Sequence, residues 1–184
     1  MFLGHFAIGV ATKPKAPKIP MWALFLAPQV LDLVFLPLVA LGIESYEQVS
    51  YGQDQIQAFY SHSLVGALLI SAVVFWIAKK KWKTNNYAWL LAGLCFSHWP
   101  IDLLVHHKDL PILPGNIGGF PLLGFGLWDY TYIIFGVEII LAVLSVILYF
   151  NWAMKEKTTP RWYIGPAVVT ILFSLMILAD ISRL

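Results

Sequence analysis

Five apolar stretches dominate this chain, near positions 21–43, 58–78, 87–107, 130–152 and 163–182. Each is about 20 residues long, the length a helix needs to cross roughly 30 Å of hydrocarbon. Within lipid every backbone N–H and C=O must be satisfied by the chain itself, which makes the helix the structure such stretches adopt. The expected fold is therefore all-α: an integral membrane helical bundle, one domain over residues 1–184, with about five transmembrane helices. With 59% hydrophobic and 12% charged residues, the chain is excluded from the soluble globular class. Residues 1–11, "MFLGHFAIGVA", are too short to span at 1.5 Å rise per residue. They are expected either to lie on the membrane surface or to dip into the bundle as a half-helix, which would carry His5 and the positive helix end toward the bilayer middle. They have no basic residues ahead of the apolar part and no cleavage site, so they do not read as a removable signal peptide.

The connecting segments set the expected orientation. Lys and Arg in "TKPKAPKIP", "ESYEQVSYGQDQIQ", "KKKWKTNN", the Gly/Pro-rich "KDLPILPGNIGGFPLLGFGLWD", "MKEKTTPRW" and the C-terminal tail number 3, 0, 4, 1, 3 and 1. Under the positive-inside bias this alternation puts residues 12–20 in the cytoplasm and the C-terminus outside, in an inner (cytoplasmic) membrane. Glu44, Glu47, Asp54, Glu156 and Asp180 read as solvated or interfacial charges. The lone Cys95 lies in an apolar run, which excludes an internal disulfide framework and thiolate zinc sites.

Asp32, His62, His98, Asp102 and Glu138 all fall inside the expected spans, from the midplane to the outer half. Each buried acid costs on the order of 2.5–3.5 kcal/mol at a helix centre, and no Lys or Arg lies deep in any span to offset it. Imidazoles, backbone, water or a metal cation are the remaining partners. His98, Asp102 and His106 are four residues apart and form one helix stripe, with Pro100 between the first two, so a His and an Asp can address one ion. Donors from several helices without thiolates favour Zn²⁺, with Mn²⁺ and Fe²⁺ as alternatives, as one saturated ion or two open ones. An open divalent ion acidifies water and polarises an ester, and a nearby group such as Glu138 would then handle the proton; His106 extends the site toward the outer mouth.

"MFLGHFAIG", "LAPQVLDLVF", "FYSHSLVGALL" and "FSHWPIDLLVHHKDLPILPG", in that order, resemble the membrane-bound metal-dependent hydrolases, a bacterial and archaeal family of multispan proteins. The likeness covers roughly residues 1 to 130 and implies His5, Asp32, His62, His98 and Asp102 as metal ligands. The order His, Asp, His, His-x3-Asp is also similar to that of the helical zinc phospholipase C and P1-type nuclease enzymes. Their later His-x3-Glu has no counterpart, because no His follows His107; Glu138 or His106 would take part of that role.

Three functional readings follow. The first is a hydrolase of a lipid-borne ester or phosphoester, with Glu138 and His106 as catalytic groups and the Gly-rich segment 114–126 as a mobile cover. Its partners are membrane lipids and a lipid-like substrate rather than nucleic acid. The second is a transporter or channel relaying protons or a divalent ion, marked by a polar path to the cytoplasmic face. The third is a non-catalytic membrane subunit stapled by a metal.

Overall fold

The computed structural model describes residues 2–156 and 160–184. Helix α1 spans Phe2–Ala11, α2 Met21–Leu26, α3 Val30–Ala40, α4 Leu64–Trp82, α5 Asn85–Val105, α6 Thr131–Glu156 and α7 Ile164–Ile181. The chain is thus an all-α bundle; the sheet content is one pair of three-residue antiparallel strands, β1 Ser45–Glu47 and β2 Gln55–Gln57, inside the segment read as a polar loop. Among the described residues four helices are long and apolar enough to span a membrane: Met21–Ala40, Asn85–Val105, Leu127–Glu156 and Ile164–Ile181. The expected span near 58–78 is displaced. Residues 58–63 turn before α4, and α4 ends on Lys79, Lys80, Lys81 and Trp82, so its apolar part stops at Ala78. Lysine stems of this kind reach from a helix end back to the interface.

α1 is a half-helix inside the bundle. Leu3, Gly4, His5, Ala7, Gly9 and Val10 are buried, chiefly against α6 and α2. Gly9 permits that approach: a Cβ there would overlap the Leu24 carbonyl oxygen. The first spanning unit is interrupted by a 3₁₀ turn at Ala27–Gln29, between α2 and α3, at Pro28. α5 instead runs through Pro100 without interruption.

The two ends of the bundle differ in chemistry. At one end Lys13 lies 5.1 Å from the Trp152 ring and Lys81 lies 4.7 Å from the Trp22 ring, tying residues 12–20 to α6 and the α4 C-terminus to the start of α2. Lys157, one of the basic-turn cations, lies outside the described residues. At the other end Arg183 bonds Asp54 at 2.6 Å and the Tyr51 N–H donates to the Arg183 carbonyl at 3.1 Å, so the polar loop and the C-terminal residues share one side. The segment 114–126, expected as a cover, is pinned elsewhere. Pro111 and Ile112 carbonyls accept from the first N–H groups of α4, Gly115 N–H bonds the Phe59 carbonyl, and Leu110 pairs with Leu123.

Gly9→Ala is expected to destabilise the protein by about 1–3 kcal/mol through overpacking of α1 on α2. Gly93→Ala, where a Cβ meets nothing within 4 Å, should be neutral or stabilising by up to about 1 kcal/mol. Thermal unfolding of both variants in the same detergent checks the contrast.

Candidate metal centre

Four elements deliver the polar side chains. α1 carries His5, α3 carries Asp32 in its first turn after the 3₁₀ break, the turn before the α4 N-cap Ser63 carries His62, and α5 carries His98 and Asp102. His62 is therefore a turn residue rather than one inside a span. It is buried all the same, as are His5, His98 and Asp102, while the Asp32 side chain is 29% exposed toward a cavity of ≈ 420 Å³. The structure brings all five expected ligands into one cluster.

Hydrogen bonds assign the tautomers. Glu44 accepts from the Tyr60 and Ser61 N–H groups at 2.7 and 2.9 Å and from the Ser61 hydroxyl at 2.8 Å. With its one proton on Glu44, Ser61 Oγ must accept from His62 Nδ1, 2.8 Å away. His98 Nδ1 donates to the Pro28 carbonyl at 2.6 Å, a group made available by the helix break. In the neutral imidazoles both Nε2 atoms then carry lone pairs, and they face each other at 3.2 Å. Asp32 Oδ1 lies 3.3 Å from His62 Nε2 and 3.6 Å from His98 Nε2; Asp102 Oδ2 lies 3.8 and 3.0 Å from the same two atoms.

These separations fit a cation. Ligand atoms about 2.0–2.1 Å from a tetrahedral Zn²⁺ stand about 3.3 Å apart, close to the 3.2, 3.3 and 3.6 Å edges of the triangle formed by His62, His98 and Asp32. A second grouping, His5, His98 and Asp102, overlaps the first through His98. His98 has one Nε2 lone pair, so an ion that takes it in one grouping denies it to the other. The His5 ring stacks on His98 with centroids 3.7 Å apart, and its Nε2 is 3.0 Å from Asp102 Oδ1. Its buried Nδ1 has no partner among the described residues.

Two further expected residues lie elsewhere. His106 follows α5 as its C-cap, lines the cavity, packs at a 40° tilt on Trp128 with centroids 4.2 Å apart and holds Asp109 Oδ1 at 3.0 Å through Nδ1; its Nε2 is 3.7 Å from Asp102 Oδ2. Glu138 is fully buried and belongs to neither metal grouping. It accepts from the Gly4 N–H at 3.2 Å and the Tyr51 hydroxyl at 2.6 Å, so it caps the N-terminus of α1. That end of the half-helix is answered by the protein. Burial and then the adjacent Glu138 carboxylate push the Tyr51 hydroxyl far above its ordinary pKa, so it stays a donor.

Glu44 corrects its reading as a solvated charge: it is 4% exposed and orients His62 through Ser61. Asp54 and Asp180 likewise line the cavity. Ser61 sits beside His62 in the chain, a local hint, but Glu44 is 17 residues away and nothing in the sequence joins them. No protein-family model, curated protein or solved structure matches this chain.

Ser61→Ala and Glu44→Gln are expected to weaken metal affinity by about 10–100-fold, the usual effect of losing a group that orients a ligand, while His98→Ala and Asp102→Ala abolish stoichiometric binding. Competition with a chromophoric chelator on the purified protein measures both.

Proposed function

We propose that this chain is a membrane-embedded metal-dependent hydrolase acting on a lipid-borne ester or phosphoester, in keeping with its resemblance to the membrane-bound metal-dependent hydrolases. The observation that carries the reading is the meeting of His62, His98 and Asp32 donor atoms at cation spacing, with the His5, His98 and Asp102 grouping beside them, on the wall of a cavity with room for a substrate group. Zn²⁺ suits the nitrogen and oxygen donor set best, ahead of Mn²⁺ and Fe²⁺. A divalent ion there supplies Lewis acidity, polarising the ester oxygen and acidifying water.

The chain's own residues do the rest. His106, its Nδ1 held by Asp109, presents Nε2 to the cavity as the general base. Water adds its oxygen to the phosphorus or carbonyl carbon, its proton passes to His106 Nε2, the ester C–O or P–O bond breaks, and the leaving oxygen takes that proton. Asp102 faces His98, His62 and His106 through Oδ2 and His5 through Oδ1, which keeps the cluster in register. Glu138 serves as the α1 cap rather than as the proton carrier.

Access favours lipid. Leu36, 61% exposed, and Phe2, 55% exposed, belong both to the cavity wall and to the apolar outside of the bundle, so a substrate can approach sideways from the membrane. The layer on the other side of the cluster is apolar, with Leu24, Ala27, Leu31, Leu94 and Cys95 buried. That disfavours a polar path through the protein, and the cavity beside the donors disfavours a closed structural staple. With the lysine-rich end in the cytoplasm of an inner-membrane protein, the cavity opens on the outer side.

Purified protein is expected to carry one tightly held divalent ion and to hydrolyse a chromogenic ester or phosphoester in mixed micelles. Removal of the metal should abolish turnover, and Zn²⁺ should restore it. His106→Asn should lower kcat by about 10²–10⁴-fold with metal content unchanged, as read by elemental analysis beside initial rates. Full metal occupancy without turnover on any ester class would overturn the hydrolase reading.

A further inference from the structure

The rim of the same cavity carries a second built feature, formed by Arg183, Asp54 and Tyr46. Arg183 is the one Lys or Arg among the described residues lining the cavity, and its side chain is 26% exposed. Both Asp54 oxygens sit on the single nitrogen Nη2, at 2.8 and 2.6 Å, with the Ser50 carbonyl at 3.4 Å. Arg183 Nε is buried with no partner among the described residues, while the Tyr46 hydroxyl lies within interaction reach of the guanidinium. A guanidinium has five N–H donors in a planar fork suited to oxyanions. This one uses a fraction of them.

Asp54 is itself restrained. The Tyr46 hydroxyl donates to its Oδ2 at 2.9 Å and the Val49 N–H to its Oδ1 at 2.9 Å. The Arg183 backbone is anchored by the Tyr51 N–H at its carbonyl. The guanidinium is thus held by a carboxylate that two further hydrogen bonds fix in place, and it lines the same cavity as the metal-binding cluster, with Asp180 as the other nearby acid. A carboxyl ester has no charge for such a group to meet. A phosphate does, and Arg–phosphate hydrogen bonds are among the strong, charge-assisted ones.

We propose that Arg183 is the anion-recognition group of the site and that the substrate is a phosphoester whose phosphate oxygens meet Arg183 on one side and the metal-binding cluster on the other. This rests on the hydrolase reading above and narrows it from esters in general to phosphate-bearing ones. The shared chemistry is a phosphate group, carried on a lipid headgroup or on a small soluble ester.

The test measures phosphate binding separately from turnover. Wild type, Arg183→Gln, Arg183→Lys and Asp54→Asn, each metal-loaded in detergent, are titrated calorimetrically with inorganic phosphate and with dihexanoyl phosphatidic acid. Monodispersity and metal content are followed in parallel. Arg183→Gln is expected to weaken phosphate binding at least tenfold with metal retained, Arg183→Lys to recover part of it, and Asp54→Asn to tighten it by releasing the guanidinium. A purely structural role for the pair would move the Gln and Asn variants in the same direction and would overturn the proposal, as would wild-type phosphate affinity in Arg183→Gln. Tighter binding of the short-chain lipid than of inorganic phosphate supports a headgroup as the source, and equal affinities support a soluble ester. Metal-dependent hydrolysis of p-nitrophenyl butyrate with no phosphate binding would overturn this inference while leaving the hydrolase reading intact. Arg183-dependent phosphate binding in a protein that holds no metal would do the reverse.

Discussion

Two imidazole lone pairs face each other across 3.2 Å, and much of the surrounding structure exists to keep them there. Neutral histidine can turn either nitrogen into a donor, and here that choice is removed twice. The Ser61 and Glu44 pair commits the Nδ1 proton of His62, and the Pro28 carbonyl commits that of His98. Asp32 adds a carboxylate oxygen 3.3 and 3.6 Å from the two nitrogens, and Asp102 adds one 3.0 Å from His98 in the grouping that includes His5. Electron-pair donors gathered this closely repel unless a proton or a metal cation lies among them, and the spacing fits a divalent ion.

The geometry depends on two interruptions of helical structure that a membrane protein tolerates only where the freed backbone finds a partner. The 3₁₀ turn at Ala27–Gln29 frees a carbonyl, and His98 takes it. The half-helix α1 ends inside the bundle with unsatisfied N–H groups, and Glu138 takes one of them while also binding Tyr51. One acid inside the spans is therefore answered by hydrogen bonding to the protein. The demand for a cation is concentrated on Asp32 and Asp102, where the imidazoles also converge.

The cavity joins three chemistries within about one bundle end. The His/Asp cluster that could hold a metal ion, a histidine bonded to Asp109 and a guanidinium paired with Asp54 all line it. Exposed apolar side chains, Phe2 and Leu36, continue the wall onto the surface that faces lipid. Under the proposed function an amphiphile would enter with its polar part while its hydrocarbon stays outside; apolar side chains, Leu24, Leu31, Leu94 and Cys95 among them, are buried near His98.

By itself the sequence determined the all-α, membrane-spanning class and singled out the His and Asp residues that the fold gathers, because span length and the four-residue spacing of His98 and Asp102 are local properties of the chain. α1 remained undecided between surface and interior, since ten apolar residues suit either environment and only the small Gly9 against the Leu24 carbonyl settles it. Tertiary structure alone decided that Glu138 caps α1, that Glu44 orients His62, that the loop after α5 pins α4, and that Arg183 reaches the cavity from the far end of the chain. The physical reason is common to all four. Each depends on a hydrogen bond, ion pair or cavity contact formed between segments distant in sequence, and neither periodicity nor composition encodes which distant partner a buried polar group will find.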